Sequence, residues 1–364
     1  MRLEADTLED LSLGAVFLAT GGGGDPYVSY LLAKQALAET GGVELLDPAE
    51  LDDDAFVVTL GGVGAPTVSL ELLPSRDEPA ETLRAFEAHV GRKADAVISF
   101  EIGGGNSLIP LIAGAELNIP VIDGDGMGRA LPEAQMMTYP IGGVRPCPAL
   151  ARDYAGNVAT FSTDSIFEYE EQIRQFALEN GGMVLAAEHP MSGAEVKATV
   201  VPNTVTFSVE IGRILREHRG NAEAMTAFLT AAFEPSIYGA FRHLYSGKVI
   251  DYSSRIIGGY DIGEATLEAF DRSRENLTIN IKNEYLAARA GDSLLASVPD
   301  LITILDYETS TPINAERLRY GQRVSVFGIG CPAFYRGPEA LAVVAPRCFG
   351  FDFDYRPIEE LSPD

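Results

Sequence analysis

The 364-residue chain is short of several residue types, and each shortage excludes something. It has only three cysteines, Cys147, Cys331 and Cys348, far apart in sequence. No paired spacing suggests a disulfide framework or a zinc knuckle, so all three read as free thiols. Bases are scarce as well: 27 Lys and Arg face 53 Asp and Glu, for a formal charge of −26. Nucleic acids and anionic membranes need a basic footprint and are repelled by this balance. Lysine is the rarer of the two bases, which fits a salt-adapted host and a coding bias equally. No run approaches the roughly 20 apolar residues that span a bilayer. The opening Met-Arg-Leu-Glu-Ala-Asp is too acidic for a signal peptide, so the cytoplasm is the expected location. The four histidines, His89, His189, His218 and His243, form no close metal-ligand pair. No cofactor is expected, and a divalent metal held by acids and a histidine from separate segments stays open.

What is present is a 46% hydrophobic chain, long enough for a substantial core and more in keeping with two domains than one. Thr7-Leu-Glu-Asp10 resembles a helix start leading into an apolar run, in which Ala15 to Ala19 fit helix or strand. Next comes Thr20-Gly-Gly-Gly-Gly-Asp25-Pro26. Asp25 is a good helix cap and Pro26 a good first helical residue. Glycines entering a helix leave free N–H groups at a positive dipole end. Thr20, Gly21, Gly22, Gly23, Gly24 and Asp25 are therefore candidate substrate-binding residues, with a packing turn as the alternative. The stretch lacks the Gly-Lys-Ser/Thr of a P-loop and the usual context of a dinucleotide fingerprint, so ATP and NAD are not supported.

Two further apolar runs end in glycines: Phe56 to Leu60 before Gly61-Gly-Val-Gly64, and Ala96 to Phe100 before Glu101-Ile-Gly-Gly-Gly-Asn106. A third, Pro120-Val-Ile, ends in Asp123-Gly-Asp-Gly-Met-Gly-Arg129, followed by Pro132-Glu133. With helices over residues 80–90 and 107–117 between them, the order is that of a parallel sheet with right-handed crossovers. Ligands bind outside the carboxyl ends of such strands. Asp123, Asp125, Glu101 and Glu133 are the candidate catalytic carboxylates there, with Asn106 and Arg129 as candidate substrate-binding groups. An acidic turn in place of a site, and Asn106 as a mere helix cap, are the bland alternatives.

After Tyr139 to Pro148 the texture changes, and the domain boundary is expected at residues 160–167, dividing the chain into 1–165 and 166–364. Val184 to Glu188 and Lys197 to Val201 read as strands, and Thr204 to Glu217 and Ala222 to Phe233 as a helix pair. Short β-rich runs follow at 278–281, 301–306, 323–327 and 341–344. The expected fold is an N-terminal three-layer α/β domain with a mainly parallel sheet and a C-terminal β-rich domain covering its loop edge. Cys147 lies between prolines with no nearby histidine in sequence and is disfavoured as a nucleophile, and Cys331 and Cys348 read as buried small hydrophobes. Tyr139, Tyr285 and Phe334 read as core, with a wall of the pocket as the alternative.

Nearly the whole chain resembles the bacterial and archaeal family named for S-methyl thiohydantoin desulfurase, formerly a domain of unknown function associated with hydantoinase/oxoprolinase genes. The matching stretches are Thr20 to Tyr27, Glu101 to Asn106, Pro120 to Arg129 with Pro132-Glu133 and Gln135-Met136, Pro190 to Lys197, Val298 to Leu301, Leu318 to Gly321 and Phe349 to Phe351. Leu131 and Ala134 stand where the family leads one to expect Phe and Leu, which bears on pocket shape. The resemblance implies hydrolysis of a small cyclic thioimidate to a hydantoin with release of methanethiol. The alternative is a non-catalytic binding or accessory subunit of a hydantoinase/oxoprolinase-type system. Asp125, between two glycines beyond the apolar run, is the preferred base. Asp123 would orient Arg129 or a ring N–H, Glu133 would act as the acid, and Glu101 is the next candidate. A small molecule is the expected partner, with a homo-oligomer and a hydantoinase/oxoprolinase-type protein as further candidates.

Overall fold

The computed structural model describes residues 1–271 and 274–361. In chain order it runs β1 (Arg2–Leu3), α1 (Leu8–Leu18), α2 (Tyr27–Thr40), β2 (Val43–Leu46), β3 (Phe56–Gly64), α3 (Glu78–Val90), β4 (Ala96–Ser99), α4 (Ile109–Leu117), β5 (Val121–Asp125), α5 (Thr138–Ile141), β6 (Ala149–Arg152) and β7 (Val158–Phe161). Then follow α6 (Ile166–Glu179), β8 (Met183–Ser192), α7 (Gly193–Thr199), β9 (Val201–Pro202), α8 (Thr204–Glu217) and α9 (Ala222–Phe233). The remainder is β10 (Phe241–Ile257), β11 (Tyr260–Ala269), β12 (Leu277–Lys282), β13 (Glu284–Ala290), β14 (Ser293–Ser297), β15 (Leu301–Asp306), β16 (Arg323–Ile329) and α10 (Pro338–Val344).

The apolar runs behave as their composition demands. Val57 and Val58, and Val97 and Ile98, are consecutive and all buried, which requires cover on both sheet faces. They lie in the parallel heart β2-β5-β4-β3 of a sheet ordered β1-β2-β5-β4-β3-β8-β6-β7, with β9 on β5. Beyond that heart the pairing turns antiparallel, and β8 inserts beside β3 although it follows residue 165. Helix α4 lies on the parallel strands with α2 and α3 beside it, while α6 packs on β3 and α8 on β5, giving three layers.

The second sheet, β14-β13-β12-β11-β10-β16-β15, is antiparallel throughout. It curls around its own core, which includes Val249, Leu267, Ile279, Ile304 and Val326. The two sheets meet at the glycine loop after α1. The Tyr285 amide donates to the Thr20 carbonyl at 2.6 Å, and the Ala315 amide to the Gly21 carbonyl at 2.8 Å.

Four expectations need correction. Residues 197–199 are helical, because Ser192 and Glu195 form a capping box that starts α7, and only Val201–Pro202 pair as strand. Residues 341–344 are helical too, since Pro338 occupies the first turn of α10 and pre-sets its backbone. Cys348 is exposed, on a one-turn segment past α10. Phe334 is 41% exposed, whereas Tyr139 and Tyr285 are buried. The ambiguous run at Ala15 is helix, the end of α1. Among the described residues no helix is long and apolar enough to cross a membrane.

Candidate active site

The loops that follow β3, β4 and β5, the glycine loop after α1 and the turn between β12 and β13 line a cleft. Of the residues singled out in the sequence, Gly23, Gly24, Glu101, Asn106 and Glu133 line it. Five carboxyl side chains share its wall: Glu101, Glu133, Glu170, Glu188 and Glu284.

Glu101 leaves the end of β4 into a dry environment, only 6% exposed. Burial pushes its carboxyl up to about 8, against the opposing pull of the Asn106 amide. Asn106 Nδ2 donates to Glu101 Oε1 at 2.6 Å, and Asn106 Oδ1 accepts from the Gly62 amide at 2.7 Å. The amide therefore ties the carboxyl to β3. Glu101 Oε2 is buried without a hydrogen-bond partner.

Glu284 comes from the second sheet, at the start of β13, and is 2% exposed. Its Oε2 is likewise unpartnered, and burial followed by repulsion from Glu101 raises its carboxyl well above the usual range. Gly22 makes the approach possible, because a Cβ there would stand 2.1 Å from Glu284 Oε1. Two buried carboxyls thus share one cleft, and a proton on one favours ionisation of the other.

The remaining acids are held by partners. Glu188 accepts the Tyr169 hydroxyl and lies 3.0 Å from His189 Nδ1. Glu170 pairs with Arg174 at 2.7 Å and accepts the Tyr260 hydroxyl at 2.9 Å. Glu133 pairs with Lys282, itself 4.3 Å from the Tyr260 ring centre, and accepts from Gln135. Its backbone is extended, ahead of a single 3-10 turn, so no helix dipole acts on it as an acid.

Asp123 and Asp125 do not line the cleft. Asp123 Oδ1 accepts the Val205 and Thr206 amides, both at 3.1 Å, and Oδ2 the Thr206 hydroxyl at 2.8 Å, so the carboxylate caps α8. It does not orient Arg129. Asp125 is wholly buried, and its Oδ2 accepts the Ile102, Met127 and Gly128 amides at 2.9, 2.9 and 2.8 Å. Burial pushes it up to about 7, against Thr204, whose hydroxyl is near enough to favour the charged form without being in hydrogen-bond geometry. Its place is under the loops, where it joins the end of β4 to the start of the 126–128 turn.

Arg129 is also wholly buried. It donates to the carbonyls of Ala130, Pro299 and Asp300 and to the Thr20 hydroxyl at 2.8 Å. It fastens the two sheets together instead of facing a ligand, and Thr20 is its partner. Asp25 accepts the Tyr27 amide at 2.8 Å and pairs with Arg317. Gly21 packs under the Tyr285 ring. Gly23 and Gly24 do face the cleft, and their N–H groups have no protein acceptor among the described residues. They retain the character of a carbonyl or oxyanion cradle.

Sequence reasoning missed Glu284, Glu188, Glu170 and Arg174, which all line the cleft. The only local signal for the first two is an acid inside or beside an apolar strand, in Ala186-Ala-Glu-His189 and Asn283-Glu-Tyr-Leu286. None of the three cysteines lines the cleft, and burial raises the thiol of Cys147 and pushes that of Cys331 up to about 12, both unfavourable to a thiolate. Among the described residues no group of three or more His, Cys, Asp or Glu side chains is arranged to hold a metal ion.

Comparison with known proteins agrees with this architecture. The family model described as the S-Me-THD-like N-terminal domain matches residues 6–163, and the S-Me-THD-like C-terminal domain matches residues 163–358. A crystal structure of a protein from Chromobacterium violaceum superimposes with a TM-score of 0.82. The match covers 98% of this chain and 100% of that one at 24% identity, a likeness of fold. No curated protein matches the chain.

Proposed function

Because the chain belongs to the S-Me-THD-like family, we propose that it hydrolyses a small five-membered thiohydantoin ring carrying a methylthio group. The observation that carries this reading is the meeting of Glu101 and Glu284, two buried carboxyls from different sheets, in the wall of one cleft. Such a pair supplies an ionised base and a neutral acid side by side. Glu101 is the base, since the Asn106 amide favours its charged form. Glu284 is the acid, since burial and the neighbouring charge hold its proton.

In the substrate the reacting carbon is single-bonded to sulfur and double-bonded to a ring nitrogen. Glu101 takes a proton from water as the water oxygen bonds to that carbon. The π pair of the C=N bond moves to nitrogen, which takes the proton of Glu284. In the second step the C–S bond breaks and the departing sulfur takes the proton from Glu101. The hydroxyl of the adduct forms the carbonyl and returns its proton to Glu284. Water is consumed, methanethiol and a hydantoin are released, and both carboxyls end as they began. The Gly23 and Gly24 amides suit a ring carbonyl whose charge grows in the first step.

The test is release of free thiol from S-methyl thiohydantoins by the pure protein. Glu101→Gln keeps size and the contact with Asn106 but cannot take the proton, so kcat is expected to fall by roughly 10²–10⁴ with folding retained. Near-normal turnover by the folded variant would remove Glu101 as base. Binding of the ring with no thiol released by the native protein would overturn the hydrolase reading in favour of a ligand-binding subunit.

A further inference from the structure

A second compartment opens from the catalytic cleft and has no part in the chemistry above. It shares Gly23, Gly24, Gly62, Asn106 and Met183 with the cleft, so the two adjoin. Its own wall is largely apolar: Leu32 of α2, Leu72, Leu73 and Pro74 ahead of α3, and Ile109 and Ile112 of α4. Leu73 is 67% exposed, and Tyr154, also in the wall, is 56% exposed. Large apolar side chains are left open to water where a neighbouring group would cover them.

Gly62 stands in the wall common to both, and side chains pack closely against it. A Cβ on Gly62 would lie 3.2 Å from Asn106 Oδ1, 3.5 Å from Met183 Cε and 3.8 Å from Ile109 Cδ1. Gly62 is in strand β3, with its amide bonded to Asn106, so this glycine serves space and not a left-handed turn. The charged groups of the compartment argue about the occupant's charge. Arg152 is engaged with Glu81 at 2.6 Å, and Asp25 with Arg317. Glu78 is partly buried, and its carboxyl is raised first by that burial. Among the described residues that line the compartment, an anionic tail would meet carboxyls and no uncommitted cation.

We propose that this compartment is the specificity subsite of the enzyme and that it takes an uncharged apolar substituent on the ring, such as an isobutyl or benzyl group, while the ring itself sits against Glu101 and Glu284. The proposal rests on the hydrolase reading for the ring's placement, but its own readout is binding. Affinities for hydantoins that are unsubstituted or carry isobutyl, benzyl or carboxyethyl groups are measured by calorimetry on the native protein, in parallel with thiol release from the corresponding S-methyl thiohydantoins.

The isobutyl and benzyl rings are expected to bind, and to react in kcat/KM, at least about tenfold better than the unsubstituted ring, with the carboxyethyl ring no better than the unsubstituted one. Leu73→Asp, at an exposed position, and Leu32→Trp, which narrows the space, should each abolish most of that preference and leave the unsubstituted ring unchanged. Equal affinities across the series, a preference for the carboxyethyl ring, or variants that weaken all rings alike would overturn the subsite. An apolar preference in binding with no thiol released would uphold the subsite and reject the hydrolase reading, so the two failures are distinct.

Discussion

At the scale of single residues, burial decides which acid does what. Asn106 and Asp125 both bond at the Glu101 turn: one donates to the Glu101 carboxyl, the other accepts the amide of the next residue, Ile102. If ionised Glu101 is the base, turnover rises as pH rises through about 8, where its raised carboxyl loses its proton. Asn106→Ala removes the donor that favours the charged form, so that limb of the kcat/KM profile moves to higher pH. A purely structural Asn106 would lower the whole profile without moving it. Asp125→Ala leaves three amides without their acceptor in a dry interior and is expected to cost roughly 3 kcal/mol or more, read from the urea midpoint. Asp125→Asn keeps an acceptor oxygen, so the milder loss and retained turnover of that variant separate a backbone-holding acid from a proton-accepting one.

Helix packing shows why elements legible in sequence still leave their arrangement open. The capping and apolar pattern of α1 and α8 announces two helices, but nothing local says that they touch. They do so through glycines: a Cβ on Gly14 would lie 1.8 Å from the Ser208 carbonyl oxygen, and one on Gly212 1.7 Å from that of Asp10. Asp10 also pairs with Arg216 at 2.6 Å across the contact. On an isolated helix Gly14→Ala would gain about 1 kcal/mol of propensity. Here it drives side chain into backbone, and a net loss of roughly 1–3 kcal/mol or more is expected, seen as a lower Tm. A Tm unchanged or raised in that variant would mean that the helices separate without cost. Helix α8 is also fixed from the first sheet, because the Asp123 carboxylate, in the middle of β5, receives amides of its first turn.

For the whole molecule the governing quantity is the charge of −26. At low ionic strength these charges repel across distances that about 0.1 M salt screens to roughly 10 Å. Screening favours the compact state, so Tm is expected to rise when salt is increased from a few millimolar to molar concentration. An unchanged Tm would show that the carboxylates are spaced widely enough for self-repulsion to be negligible, and would remove salt adaptation as an explanation of the composition. Locally, Arg129 and the glycine loop join the sheets, and this joint brings the β12–β13 turn over the ends of the parallel strands.

The sequence by itself determined the class of fold and one side of the cleft. Apolar runs ending in glycines place strand ends, caps and prolines place helix starts, and these signals act within a few residues, where covalent neighbourhood suffices. Gly23, Gly24, Glu101, Asn106 and Glu133 were legible for that reason. The same signals made Asp123 and Asp125 look catalytic, because an acid at a strand end reads alike whether it meets a ligand or the amides of a distant helix. Only the tertiary structure distinguished these, by burying both aspartates among backbone donors and carrying Glu284 from the second sheet to face Glu101. A carboxyl's role depends on which groups desolvate and bond it, and those groups are neighbours in space that no local pattern records.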